Sequence, residues 1–355
     1  MSGPFERPTW AEIDLGAFSR NIDAIVRRLP QGSRLIAVLK ANGYGHGAIE
    51  LARKCDRERV AMIAVALVEE AIELRRAGIE LPILVLGPAS HIDVALDHAI
   101  TLGVTGPEEL AGVCEAALHR DVGIHLKLDS GMGRMGVVES ELPRVIEMIR
   151  NAPRLHIDGI YTHLANADEP GDSYSAMQLA NYERMLQALR EAGIDAPLHH
   201  VANSAAALRG LVKPGDFARA GIALYTLSPV MCWRTQIVRV KTLPRGAAIG
   251  YGTTFHTQRE SRIATLPVGY ADGYRRAFSN NAEVLVRGKR APVVGRVSMD
   301  LVTIDVTDID ARYGDEVVLL GESISADELA AKANTISYEI FCGVSARVPR
   351  RYHET

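Results

Sequence analysis

From residue 35 to about residue 225 the chain alternates short apolar runs with longer segments of helical period. Eight runs, "RLIAVLK", "AMIAVAL", "PILVLG", "AITLGVT", "GIHLKLD", "HIDGIYTH", "LHHVANS" and "FARAGIALY", are nearly continuous in apolar residues. That is the pattern of strands covered on both faces. Between them, segments such as "VEEAIELRRAG", "PEELAGVCEAALHR", "ELPRVIEMIRNA" and "YSAMQLANYERMLQALREAG" predict amphipathic helices. Eight strand–helix units predict an α/β architecture, an N-terminal eight-stranded (β/α)8 barrel of the TIM type. A doubly wound sheet is the alternative, because periodicity alone cannot close a barrel.

Beyond about residue 230 the texture changes. "TQIVRVKTLP", "SRIATLPVGYA", "AEVLVRG", "APVVGRVS", "LVTIDVTDI" and "DEVVLLG" read as strands separated by turn residues, with little helix before "SADELAAKAN". The expected division is a barrel domain over 1–235, its first dozen residues pairing with the C-terminal domain, and a C-terminal mostly-β domain over 236–355.

Bulk properties narrow the chemistry. The 40 basic and 43 acidic residues leave a net charge of -3, no electrostatic footprint for nucleic acid or an acidic membrane. No apolar run reaches the roughly 18 residues of a spanning helix. Cys55, Cys114, Cys232 and Cys342 show no CxxC or zinc spacing and read as thiols of a reducing compartment. "MSGPFERPTW" lacks the apolar core of a secretory signal. The expectation is a cytoplasmic protein without membrane or nucleic-acid partners and without a metal.

In barrels of this type the chemistry sits at the carboxyl ends of the strands. Here the polar residues gather there: Lys40 after the first strand, Lys127 and Asp129 after the fifth with Arg134 following, and His163 after the sixth. Asn203 and Ser204 follow the seventh, and Arg219 with Gly221 lies near the end of the eighth. A lone strand-end lysine is ordinarily a solvated charge and a lone histidine a core residue; their convergence on one rim argues otherwise. Ser204 also suits a helix N-cap before "AAALRG", where free N–H groups would hold a phosphate. Arg219, between apolar neighbours, needs a specific acceptor. The set asks for an anionic ligand with a carbonyl that a lysine can capture. Pyridoxal phosphate meets both demands, with its carbonyl at Lys40, phosphate on Gly221, Ser204 and Tyr44, and ring nitrogen facing Arg219.

The segments "AVLKANGYGHG", "LKLDSGMGRMG", "YTHLANAD", "VANSAA", "RAGIALY", "GYGTTF", "GYADG", "VGRVSMD" and "RVPR", with the opening "RPTWAEIDLGAFSRNI", resemble the alanine racemase family in that family's order, over essentially the whole chain. The resemblance implies a pyridoxal-phosphate-dependent isomerase that interconverts L- and D-alanine, supplies D-alanine for peptidoglycan, and works as a homodimer with shared active sites. It implies that Ile222 joins the cofactor-binding set and that His163 packs on the ring. It implies that Arg134 takes the substrate carboxylate with help from the main chain at Met299 on the partner subunit, and that Tyr270 and Asp300 line the entry. Lys127 matches a position that carries a carbamate in many members.

Racemisation removes a proton from one face of Cα and returns one to the other, which favours two bases. Lys40 serves one face, and the family match for the other is Tyr251. A guanidinium at the ring nitrogen, always protonated, leaves that nitrogen unprotonated and discourages transamination. One departure is Ala346, where some members carry a phosphate-contacting tyrosine; a roomier site keeps a broader-specificity or serine racemase as the alternative. A related decarboxylase would need a cysteine segment with acidic neighbours, which Cys342 lacks. A barrel-only cofactor-binding protein would lack residues 236–355.

Overall fold

The structure, a computed structural model, describes residues 7–169, 171 and 173–355. It divides into two compact units. One comprises residues 18–43 and 48–227; the other takes the chain up to Ala17, Tyr44–Gly47 and Ser228–Thr355. Residues 1–6 of the expected N-terminal pairing segment lie outside the described residues.

The first unit is an eight-stranded parallel sheet with helices between its strands. The strands are β1 (Arg34–Val38), β2 (Val60–Val65), β3 (Ile83–Val85), β4 (Thr101–Val104), β5 (Val122–Lys127), β6 (Leu155–Tyr161), β7 (Leu198–His200) and β8 (Phe217–Ala220). Neighbours pair in sequence order, and β8 returns to pair with β1. The Arg219 N–H donates to the Ala202 carbonyl at 2.9 Å, joining the β8 edge to the segment that follows β7. The barrel expectation holds, and the doubly wound alternative does not. Each strand is shorter than its apolar run because the chain leaves the sheet at the rim. "RLIAVLK", for example, is strand only to Val38.

Closure requires buried apolar residues on both faces of each strand. Leu35, Ile36, Ala37 and Val38 are all buried, as are Ile63, Ala64 and Val65 next door. The predicted helices form over Val68–Arg76, Pro107–Ala116, Leu142–Arg150 and Tyr174–Glu191. Pro107 occupies the first helical position, where its missing N–H costs nothing.

The second unit is mostly β. Its six-stranded sheet runs in the order Lys289–Pro292, Glu283–Val286, Glu316–Leu320, Met231–Gln236, Thr9–Asp14 and Arg350–His353. Thr9–Asp14 pairs antiparallel with Met231–Gln236 and parallel with Arg350–His353. A three-stranded sheet joins Arg239–Leu243, Ser261–Leu266 and Val302–Asp305. A short hairpin pairs Ala248–Ile249 with Phe255–His256. "APVVGRVS" is strand only to Pro292, with one further bridge at Val293, because Gly295 enters the left-handed region at φ 77°. The helix Ser337–Gly343 carries no sequence start signal. No helix among the described residues is long and apolar enough to cross a membrane.

Candidate active site

The first βα loop has an unusual backbone. Lys40 follows β1 by two residues and opens a turn in which Ala41 (φ 53°, ψ 50°), Asn42 (52°, 49°) and Gly43 (61°, 45°) are all left-handed, and Tyr44 continues at φ 52°. L-residues take this region singly, at about 1–2 kcal/mol each, and seldom in a run. Such strain persists only where its surroundings enforce it. The Gly43 N–H donates to the Leu39 carbonyl at 2.8 Å, and Asn42 Oδ1 accepts from the Ala48 N–H at 2.9 Å. Glycine suits position 43, where φ is 61° and a Cβ would press on the Ala48 main chain at 3.3 Å and on Leu51 Cδ1 at 2.7 Å. Glu70 accepts from the Ala41 N–H at 2.6 Å. Lys40 is half-buried at the start of this turn.

Arg219, on β8, is buried. Its guanidinium donates to the Thr162 carbonyl (2.6 Å), the Val201 carbonyl (3.2 Å), His163 Nδ1 (3.1 Å), His200 Nδ1 (2.8 Å) and the His200 carbonyl. Among the described residues no carboxylate pairs with it. Burial pulls it down to about 10, still protonated at neutral pH. A guanidinium only donates, so both imidazoles accept through Nδ1 and carry their proton on Nε2. His200 Nε2 then donates to His125 Nδ1 at 2.7 Å. Burial and the neighbouring Arg219 charge push His125 down to about 4, His163 to about 3, and His200 well below the usual imidazole value. All three are neutral near pH 7.

Tyr161 floors this network. Its ring stacks on His200 at 4.6 Å, Arg219 Cζ lies 5.3 Å from the ring centroid, and Lys127 Nζ lies 5.9 Å from it. Gly103 on β4 makes room, because an added Cβ would come within 2.6 Å of Tyr161 Oη. Lys127 ends β5 and is buried. Burial first, then the Arg134 and Arg219 charges, lower its amine to about 8. Asp129 Oδ1 accepts from the Gly131 and Gly133 N–H groups at 2.9 and 3.1 Å and shapes the loop carrying Arg134. Arg134 is exposed.

At the seventh and eighth strand ends, Asn203 rather than Ser204 is the N-cap of the helix Ser204–Leu208, its Oδ1 accepting from the Ala206 N–H at 3.0 Å. Asparagine in an extended conformation caps as well as serine, which frees the Ser204 hydroxyl. Ser204 Oγ accepts from the Gly221 N–H at 2.8 Å and the Ala223 N–H at 3.3 Å, with Ile222 between them. A hydroxyl and main-chain donors therefore converge at one point of the rim.

In the second unit, Tyr44 is buried, its ring 5.9 Å from that of Tyr338, and burial pushes its phenol up. Tyr251 stands at the tip of the short hairpin, flanked by Gly250 and Gly252 at φ 70°, and is 74% exposed. The Arg296 guanidinium lies against Gly252. Tyr270, Met299 and Asp300 come together: the Tyr270 N–H donates to the Ser298 carbonyl and the Ala271 N–H to the Met299 carbonyl, each at 3.0 Å. Asp300 accepts from Arg347 at 2.8 Å, next to the exposed Ala346. The sequence reading missed Glu70, His125, Tyr161, His200 and Arg296. For His125 and Tyr161 the available signal was their alternation with Lys127 and Gly159 along inward-facing strand positions.

The barrel rim thus carries a half-buried lysine, an uncompensated guanidinium among neutral imidazoles, and a cluster of donors fit for an anion. Residues 13–229 match the family pattern described as "Alanine racemase, N-terminal domain", and residues 230–352 match "Alanine racemase, C-terminal domain". An alanine racemase of Symbiobacterium thermophilum is 44% identical, covering 98% of this chain and 97% of its own. The crystal structure of alanine racemase from D-cycloserine-producing Streptomyces lavendulae superposes with a TM-score of 0.94 at 34% identity, covering 99% of this chain and 98% of that one. That of alanine racemase from Bartonella henselae, with covalently bound pyridoxal phosphate, gives 0.90 at 27% identity, covering 98% and 100%. The barrel and the second unit agree with these matches over nearly the full length: the chain belongs to the alanine racemase family.

Proposed function

We propose that this chain interconverts L-alanine and D-alanine with pyridoxal phosphate. The observation that carries the reading is Arg219: a buried guanidinium with no acidic partner among the described residues, ringed by carbonyls and neutral imidazoles. The residues fit the cofactor. Lys40 would attach it; Ser204, Gly221 and Ile222 would take the phosphate, a set to which the sequence adds Tyr44; Asn203 fixes the helix that presents Ser204. His163 would pack on the ring, and Arg219 would donate to the ring nitrogen. When bound, pyridoxal phosphate supplies the electron sink for the charge left at Cα.

The protein's own groups set what happens to that charge. Arg219 can donate a hydrogen bond without giving up its proton, so a ring nitrogen held there would be left unprotonated and more of the charge would stay near Cα. His163, His125 and His200, being neutral, offer no competing acid. Arg134 holds the substrate carboxylate, assisted by the main chain at the Met299 position of a second copy. Lys127, with a readily deprotonated amine, adds carbon dioxide to give a carbamate and a proton, turning a cation into an anion that orients Arg134. Tyr270 and Asp300 shape the entry.

Lys40 and Tyr251 divide the proton transfers, Tyr251 acting on the L-enantiomer and Lys40 on the D-enantiomer. The exposed phenol of Tyr251 serves the site of a second copy in a homodimer, on a hairpin tip where the Arg296 guanidinium lies against Gly252. The enzyme works in the cytoplasm, in keeping with four free cysteines, and supplies D-alanine for peptidoglycan. The test is chiral chromatography of the purified protein incubated with L-alanine, L-serine and other L-amino acids. L-Alanine should be converted fastest and to an equal mixture of enantiomers. A rate on L-serine matching that on L-alanine would mark a broader racemase, with Ala346 as its cause, and absence of D-alanine would overturn the reading.

A further inference from the structure

We infer that Glu70 is a positioning residue for Lys40, its carboxylate holding the left-handed turn through which the lysine leaves the strand end. The inference rests on Lys40 being the lysine that attaches pyridoxal phosphate. Three residues of the turn differ in how well they suit it. Gly43 has no Cβ to clash. Asn42 tolerates the left-handed region and is anchored by its own side chain to the Ala48 N–H. Ala41 has neither advantage, and it is bonded directly to Lys40.

Glu70 supplies what Ala41 lacks. It sits at the third position of the helix Val68–Arg76, on the following strand–helix unit. Its Oε2 accepts from the Ala66 N–H at 2.8 Å and the Leu67 N–H at 3.1 Å, which is all that capping the helix requires. Its Oε1 reaches instead to the Ala41 N–H at 2.6 Å. That N–H belongs to the peptide plane joining Lys40 to Ala41, so the contact fixes the orientation of the Lys40 main chain. A carboxylate accepting from main-chain N–H groups makes charge-assisted bonds, stronger than those between neutral groups. One side chain therefore ties the lysine-bearing loop to its neighbour. Released from it, Ala41 would return to the right-handed region and carry Lys40 with it.

The measurements use wild type, E70A, A41G and the double variant, each purified with pyridoxal phosphate bound. Hydroxylamine is added, and loss of the visible band reports how fast the cofactor leaves its lysine; racemisation gives kcat and KM. E70A should lose cofactor about tenfold faster and lower kcat about tenfold, with KM within about threefold. A41G alone should be within about twofold of wild type, because the turn is already held. In the double variant glycine removes the pull toward the right-handed region and should restore most of both rates, a non-additivity that a capping role alone would not produce. Thermal unfolding should fall equally in E70A and the double variant, since both lose the cap. Should E70A fail to fold, E70Q, which keeps one acceptor oxygen, carries the same comparison with A41G. Wild-type rates in E70A, or a double variant no better than E70A, would overturn the inference. Borohydride labelling of wild type separates the two readings. Label on Lys40 with additive variants overturns the Glu70 role alone, whereas label on another lysine overturns the Lys40 assignment and this inference with it.

Discussion

Carbon dioxide should act on this protein through Lys127. The amine is buried beside Tyr161, and burial, then the charges of Arg134 and Arg219, lower it to about 8. At pH 7 it is neutral in about one molecule in ten, against about one in three thousand for a lysine titrating at its ordinary value. Only the neutral amine adds carbon dioxide, so Lys127 is favoured about three-hundredfold over a surface lysine at the same pH. The carbamate replaces a repulsive neighbour of Arg134 by an attractive one. Removing it should cost Arg134 one charge-assisted interaction, about 1.5–3 kcal/mol, or roughly ten- to a hundredfold in kcat/KM for alanine. The assay is carbon NMR of the enzyme in labelled bicarbonate, with racemisation measured before and after purging carbon dioxide. One carbamate signal should appear in wild type and vanish in Lys127→Ala, and purging should lower kcat/KM. Wild type with no such signal and with activity indifferent to purging would show that Lys127 stays an unmodified amine and that Arg134 is oriented by other means.

Arg219→Glu should protonate the ring nitrogen, so racemisation should fall while the fraction of transamination product rises; a fall without that product would refute the electronic role. Tyr251→Phe should cut racemisation in both directions by orders of magnitude, yet in deuterated water it should still exchange the α-proton of D-alanine and lose exchange of L-alanine. Equal exchange of both would leave a single base serving both faces. The pH dependence of stability follows from His125, held at about 4 when folded against about 6.5 when unfolded. Between those values the unfolded chain binds the additional proton, so the stabilisation is complete above about pH 6.5 and is lost as pH falls toward 4. The loss from this buried ring is about 3 kcal/mol. Urea denaturation at pH 7 and pH 4 should show it, and it should be smaller in His125→Gln; equal losses in the two proteins would refute it.

The barrel was legible because its strands are covered on both faces, and runs such as "AMIAVAL" advertise that burial without any partner being known. Lys40, Lys127 and Arg219 were legible for the converse reason: a cation set in such a run demands an explanation. What escaped were pairings that no local pattern encodes. Glu70 and Ala41 stand 29 residues apart and meet only because adjacent strand–helix units place their loops side by side. His125 and His200, 75 residues apart, meet across the barrel interior. Asn42 and Gly43 hinted at a turn, yet nothing about Ala41 or Tyr44 announces left-handed backbone. "APVVGRVS" misled for a local reason, since its apolar alternation outweighed a glycine that ends the strand.

The hydrogen bonds beneath Arg219 all run in one direction. The guanidinium donates to His200, His200 donates to His125, and His125 keeps its remaining proton on Nε2, a buried atom with no protein partner among the described residues. His163 likewise spends its Nδ1 lone pair on Arg219. None of the three rings has a lone pair left for an incoming proton, so they back the guanidinium as a fixed row of dipoles and not as a proton wire.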